Sequence, residues 1–374
     1  MDYSSKFYKK NKKLLQFFIL LIIFFLLCNF VTQSEDNIFW RLPPLIAGLP
    51  LIINDAASYL MYEFMPIDIY DPDIEEYEER PLIKEITRTI SNFILFCIQF
   101  IREILIGGVK TIVFFTSWDF VNDNSWAYWP AVPWTFVCSA VIIIGYALSG
   151  VRLALLAGLS TIYISIFGQW EPAMETLSLV LIAAPISIIL GLFFGVLAYK
   201  SKFIESTLSP LLNIAQTMPH FSYLVPAMVF FGVGDHAGAI ATIVFATPPM
   251  IRLTILGLKK VSPEVTEAAL MSGCNDFQLT FRVLIPTARR DILIGVNQVI
   301  MQCLAMAVIA SFIGAKGLGF NLLLALNSLK VGLALELGIC IVLIALVLDK
   351  ISIAWANKQI DYFQDLSFLQ RNKY

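Results

Sequence analysis

Eight stretches of this chain are apolar over enough length to cross a lipid bilayer, and they constrain everything else it can fold into. They run from Leu14 to Val31, Ala131 to Ser149, Leu153 to Gly168, Leu177 to Tyr199, Leu208 to Gly232, Ala237 to Leu258, Ile292 to Gly314 and Val331 to Leu348. A crossing needs roughly 20 mostly apolar residues. Composition agrees: 58% of the residues are hydrophobic and the mean hydropathy is +0.76, against roughly 45 to 50% apolar residues in a soluble domain. The expected fold class is an all-α polytopic membrane protein with about eight transmembrane helices.

The net charge of −2 says little, but its distribution orients the chain. Lys9, Lys10, Lys12 and Lys13 precede the first stretch, and further basic residues fall at Arg152, Lys200, Lys202, across 252 to 290 and from Lys350 onward. Cytoplasmic loops are the ones enriched in Lys and Arg, so these loops and both termini are expected in the cytoplasm, which eight crossings allow. The first stretch is long for a secretory signal and no small-residue cleavage pattern follows Val31, so it is expected to stay as an anchor. No nucleic-acid partner is expected. The six cysteines show no CxxC or secreted-type spacing and are expected only to pack.

Four regions follow: a basic tail and anchor over 1–32, an exterior region over 33–130, a membrane core over 131–352 and a cytoplasmic tail over 353–374. Within the second, DIYDPDIEEYEER (68–80) carries Asp68, Asp71, Asp73, Glu75, Glu76, Glu78 and Glu79 and is expected to be a solvated loop. From Ile86 to Phe115 apolar residues return, interrupted by Arg88, Arg102, Glu103 and Lys110, as in amphipathic helices lying in the membrane interface; the alternative is a ninth crossing, which would move the lysine-rich N-terminus outside. Trp118, Trp126, Trp129 and Trp134 bracket the second crossing as interfacial anchors.

Between two of the most apolar stretches lies VSPEVTEAALMSGCNDFQLTFRVLIPTARR, residues 261–290. Ser262, Pro263 and Glu264 predict a helix start: a hydroxyl to accept from an orphan amide, a proline tolerated at the first position and an acid at the positive end of the dipole. That helix runs to about Ser272. Gly273 supplies a left-handed terminus, and Asn275 with Gln278 predicts a capping box for a second helix running to about Leu284. Pro286 ends that helix or opens the next span. Val265, Ala268, Ala269, Phe277, Phe281 and Val283 give the pair an apolar face to bury against something.

The order Glu267-Ala268-Ala269, three residues, Gly273, nine residues, Val283-Leu284-Ile285-Pro286 resembles the EAA loop of binding-protein-dependent ABC importer permeases, with Val283 and Ile285 in place of the usual isoleucine and leucine. The segments 211–235, 245–258, 295–302, 306–319 and 341–350 are similar to permease subunits of glycine betaine/proline-type importers. This resemblance covers about 130–352.

It implies a type I ABC importer permease fold, in which two copies of the chain form the pathway and the hairpin 261–286 inserts into a separate ATPase subunit. Glu267, Ala268, Ala269, Gly273, Val283, Ile285 and Pro286 would then belong to the ATPase-coupling surface. ATP and Mg would be bound by the ATPase, and no cofactor by this chain. A separate periplasmic or tethered binding protein would deliver a betaine-, choline- or proline-like osmolyte, since only a short tail follows Lys350.

In QTMPHFSYLVP, Pro219 and Pro226 remove backbone donors inside an apolar run, which a bilayer tolerates only beside protein or a cavity. Gln216, Thr217, Pro219, Phe221 and Tyr223 are therefore candidates for the pathway lining, with Asn297, Gln298 and Met301 from the next-to-last crossing. For each polar side chain, hydrogen bonding between helices is the competing role. Glu336 is an acid inside the last crossing, where burial is costly enough to suggest function, or else a pair with Lys316 or Lys330.

No G-x4-GK[ST], HExxH, Cys/His cluster or G-x-S-x-G occurs, so neither an ATPase, a metal site nor nucleophilic catalysis is expected of this chain. A permease for another small solute and an ion-driven carrier using Glu336 are the alternatives.

Overall fold

The computed structural model describes residues 66–71, 76–107, 109–110, 128–129 and 133–371, together with Asp55 and Tyr59. The expected anchor over Leu14 to Val31, and Trp118 and Trp126, lie outside the described residues. The chain divides into two compact units, Met1–Glu85 and Ile86–Tyr374.

In the first unit the acidic stretch departs from the expected loop. Strands β1 (Pro66–Asp71) and β2 (Glu76–Pro81) pair antiparallel, with Tyr70 opposite Tyr77 and Ile69 opposite Glu78. In the backbone register Asp68 stands opposite Glu79. Isoleucine and tyrosine are good strand formers, and their share of this stretch outweighs its charge. In the second unit β3 (Val109–Lys110) pairs antiparallel with β4 (Tyr128–Trp129).

Helix α1 (Leu82–Arg102) continues through one wider π-type turn, Glu103–Gly107. Where interfacial helices are expected over 86–115, the described residues form one helix, and the segment Leu82–Ile106 is long and apolar enough to cross a membrane, as the alternative of a ninth crossing requires. Thr87, Ser91, Ile94 and Ile98 form its buried stripe, whereas Ile86, Ile90, Phe93, Phe96 and Phe100 are exposed. Its amphipathicity thus includes an outward apolar face, as lipid would require.

The remaining helices are α2 (Trp134–Ser149), α3 (Val151–Ile166), α4 (Trp170–Lys200), α5 (Lys202–Thr217), α6 (Leu224–Phe231), α7 (Asp235–Lys259) and α8 (Pro263–Met271). A helical run α9 over 276–287 and helices α10 (Arg289–Ile309), α11 (Leu318–Asn327) and α12 (Val331–Arg371) follow. α2 and α3 meet at Gly150, whose φ of 76° reverses the chain in a single residue. With 16 residues each they extend about 24 Å, shorter than a full crossing.

The expected crossing from Leu208 to Gly232 is not one helix. α5 stops at Thr217, a short 3-10 turn covers His220–Tyr223, and α6 begins at Leu224. Pro219 removes the amide that would continue the ladder, and it disfavours helical geometry at Met218, whose ψ is 135°. α12, in contrast, runs unbroken to Arg371. At about 61 Å it is twice the roughly 30 Å hydrocarbon thickness.

The core forms where α4, α7 and α10 pack, and α7 is its most enclosed member. Small residues allow this: a Cβ on Gly191 of α4 would lie 2.4 Å from Met250 Cβ of α7, and one on Gly195 would lie 2.6 Å from Thr254 Cβ. A Cβ on Gly295 of α10 would meet Met250 Sδ at 2.7 Å. Helices that gain nothing from hiding apolar surface from lipid rely on such close backbone approach. Pro248 and Pro249 interrupt the ladder of α7, and one turn earlier Ser187 and Thr247 hydroxyls donate to the Ile243 carbonyl at 3.4 and 2.6 Å.

Gly191→Ala is expected to destabilise the purified protein by about 1–3 kcal/mol through overpacking, whereas Gly338→Ala inside α12, with nothing within 4 Å of its added Cβ, leaves the thermal midpoint as high or slightly higher, since alanine is the better helix former. Equal midpoints for the two variants would show that α4 and α7 do not depend on this contact.

Candidate functional site

The hairpin formed by α8 and α9 continues from the Lys259 end of α7. Ser262 has the extended backbone of an N-cap, φ −65° and ψ 143°, and Pro263 takes the first helical position. The expected capping by its side chain is absent: the Ser262 hydroxyl accepts no bond, while its carbonyl accepts from Val265 N–H at 3.2 Å.

The other end of α8 is closed twice. Gly273 N–H donates to Leu270 O at 2.9 Å and Cys274 N–H to Ala269 O at 3.2 Å, the two bonds of a Schellman terminus. Gly273 sits at φ +81° with nothing within 4 Å of where a Cβ would be, so the conformation and not crowding demands glycine there.

Asn275 and Gln278 form the expected capping box, with Gln278 N–H donating to Asn275 Oδ1 at 2.8 Å and Asn275 N–H to Gln278 Oε1 at 3.1 Å. α9 then widens to a π-type winding over Leu279–Leu284 before closing as Ile285–Thr287. Pro286 follows that winding, having no amide for the Arg282 carbonyl and a ring that crowds it. Pro286 thus sits in the first turn of the short closing helix Ile285–Thr287, three residues before α10 begins at Arg289.

Buried Thr280 and Leu284 root the hairpin in the bundle. Lys260 Nζ bonds Asp291 Oδ1 at 2.7 Å across its base, and Lys259 bonds Glu205 at the start of α5. Beyond this root the surface is open. No residue of α8 is buried, Val265, Leu270, Phe277 and Phe281 are exposed, and Met271 is 91% exposed. The Phe277 and Phe281 rings lie against each other, centroids 4.6 Å apart and planes tilted by 36°. Glu267 and Ala268 are exposed, Ala269, Val283 and Ile285 half-buried, and Pro286 exposed.

The pathway candidates separate into two groups. Gln216, Thr217, Pro219, Phe221 and Gln298 are exposed and Met301 is half-buried. On α10 the exposed positions Ile294, Gln298 and Ala305 share a face with Met301. Tyr223 is buried and donates its hydroxyl to Ala215 O, bracing the break between α5 and α6. Asn297 uses its amide between helices: Nδ2 donates to Asp349 Oδ1 of α12 at 3.3 Å, and its oxygen accepts from Ser352.

Sequence reasoning missed Phe312, exposed beside Phe221 with ring centroids 5.1 Å apart and planes at 79°. It also missed Arg252, which reaches from α7 to Asn213 of α5. Both stand within segments that carry the resemblance, 245–258 and 306–319, but only the folded chain brings these pairs together. Glu336 accepts from Gln169 Nε2 at 2.8 Å in place of the lysine partners considered. His236 bonds the Phe231 carbonyl and His220 packs on Phe245. Among the described residues no group of three His, Cys, Asp or Glu side chains could hold a metal ion.

Residues 187–358 match the family model described as "Binding-protein-dependent transport system inner membrane component". The chain is 60% identical over 337 residues to the trimethylamine N-oxide transport system permease protein TmoV of Pelagibacter ubique, covering 90% of this chain and 47% of that one. Its identity to the TmoV protein of Ruegeria pomeroyi is 45% over 264 residues, 71% of this chain and 40% of that one. To the glycine betaine transport system permease protein OpuAB of Bacillus subtilis it is 41% identical over 200 residues, 54% of this chain and 71% of that one. The chain belongs to this family of transport-system inner membrane components. It spans less than half the length of the two TmoV relatives.

Asn275→Ala removes the side-chain acceptor of the capping box and is expected to weaken the hairpin by about 1 kcal/mol, seen as roughly fivefold faster amide hydrogen exchange confined to 276–280. Asn275→Asp keeps the acceptor and should exchange like the parent. Equal protection in all three would show that the cap does not hold the hairpin.

Proposed function

We propose that this chain is the permease subunit of an ABC importer with the type I fold, translocating a small methylated-amine osmolyte across the inner membrane of a prokaryote. The observation that carries this reading is the hairpin: a rigid element, doubly capped and rooted at its base, that leaves Val265, Leu270, Met271, Phe277 and Phe281 uncovered. An apolar surface of that kind on a shape-holding element is made for a partner. The partner is a separate ATPase that binds ATP and Mg, and its closure moves the hairpin and drives alternating access.

The remaining partners follow from the same reading. A second copy of the chain faces the exposed side of α10 and the break at 218–223, so that the pathway runs between two copies. A binding protein delivers the solute at the end opposite the hairpin, and lipid covers the aromatic face of α1. The hairpin and both termini lie in the cytoplasm. The substrate class draws its support from the relatives named for trimethylamine N-oxide and glycine betaine. Both molecules pair a methylated ammonium with a negative oxygen, and which one this chain moves is an outcome of the uptake assay.

In vesicles holding the chain, its ATPase and its binding protein, Glu267→Arg is expected to reduce ATP-dependent uptake by about tenfold or more, equivalent to removing ~1.4 kcal/mol of productive docking. Gly273→Val should do the same by straining a backbone at φ +81°. Undiminished uptake by correctly inserted variants would overturn the assignment of the hairpin, and uptake that persists without the ATPase would overturn the importer class.

A further inference from the structure

Arg102 lies at the end of α1, outside the 187–358 family match, and joins elements that lie far from it in sequence. Its side chain is 19% exposed, with Nη2 donating to Asp235 Oδ2 at 2.5 Å and Nε 3.9 Å from Glu175 Oε1 of α4. Asp235 opens α7 at the end opposite the hairpin and is 8% exposed. Its second oxygen, Oδ1, accepts the backbone N–H of Lys316 at 2.7 Å. One residue earlier, Gly234 N–H donates to Ile313 O at 2.9 Å. A single carboxylate thus joins α1, the start of α7 and the turn over 310–317.

That turn is held on its other side by α4, where Leu318 N–H donates to Thr176 Oγ1 at 2.9 Å. Gly317, at φ +121°, lies so close that a Cβ there would be 2.4 Å from the same oxygen. The turn carries Phe312, 57% exposed, whose ring meets Phe221 in the break between α5 and α6. A buried carboxylate stripped of its cation is strongly unfavourable. The guanidinium and the Lys316 amide each take one oxygen of this carboxylate, and charge-assisted hydrogen bonds of this kind are about twice as strong as neutral ones.

We propose that Arg102 is a positioning residue of the transport pathway: acting through Asp235, it sets the turn 310–317 and thereby holds Phe312 against Phe221. The inference rests on the proposed function only in treating Phe221 and Phe312 as bordering the route. The contact between them can be measured without transport.

The test places cysteines at Phe221 and Phe312 in a chain whose six native cysteines are replaced, and follows cross-linking by a short bis-thiol reagent in membranes. Arg102→Gln is expected to slow cross-linking several-fold, and Arg102→Lys, which keeps a charged donor, to restore most of it. Asp235→Asn keeps an oxygen for the Lys316 amide but loses the ion pair, and should behave like Arg102→Gln. If Arg102→Gln is not recovered folded, Asp235→Asn decides alone.

The same latch variants, with Phe221 and Phe312 intact, are then assayed for ATP-driven uptake and should fall in the same order. Equal cross-linking in all backgrounds overturns the proposal, as does a loss that Arg102→Lys fails to relieve. A latch effect on cross-linking in a parent chain that shows no ATP-driven uptake would overturn the transport reading and leave the latch standing.

Discussion

The contact of α4 with α7 is the one on which the other packing depends. Where Gly191 and Gly195 meet Met250 and Thr254 there is no space for another methyl group, so the two helices lie backbone against side chain. In a bilayer, lipid competes on equal terms for apolar side chains, and close fit takes over the role that the hydrophobic effect has in water. Met250 also lies against Gly295 of α10, so three helices share one point of contact. α7, wedged between the other two, can transmit displacement along its length because interiors packed at this density deform little.

Its two ends make different use of that rigidity. At Lys259 the helix passes into the hairpin, with Lys260 and Asp291 closing the base. At Asp235, about 37 Å away for 25 residues, it is tied to α1 and to the turn before α11. Asn297, Asp349 and Ser352 fasten α12 to α10, while Asn213 and Arg252 fasten α5 to α7. The break after Thr217 is tied more lightly, by the Tyr223 hydroxyl on Ala215 O and by ring contacts of His220 with Phe245 and Phe221 with Phe312, while the face of α10 that carries Ile294, Gln298 and Ala305 stays open.

How much of this could be read from the sequence depends on the range of the interaction. The hairpin was legible because its determinants are local: Gly273 for a left-handed residue, Asn275 and Gln278 for reciprocal bonds three residues apart. Ser262 shows the limit of that logic, since its backbone adopts the cap conformation and its hydroxyl does not bond. The stretch from Leu208 to Gly232 read as one crossing because hydropathy averages over a window, and a proline that removes one amide barely alters the average. Asp349 as the partner of Asn297, Gln169 as that of Glu336, and the meeting of Phe312 with Phe221 depend on how distant helices lie, which no spacing rule encodes.

The Schellman bonds and capping box of the hairpin span five residues or fewer. Contacts of such short range form early, on the timescale of a helix or a tight turn, without waiting for distant segments. During synthesis this part of the hairpin can therefore reach its final shape before α10, α11 and α12 have been made. The turn that sets the angle between α8 and α9 would be ready while the bundle that roots the hairpin through Thr280 and Leu284 is still incomplete, and the geometry of that turn is portable: it travels with the ten residues from Ala269 to Gln278 that make its bonds.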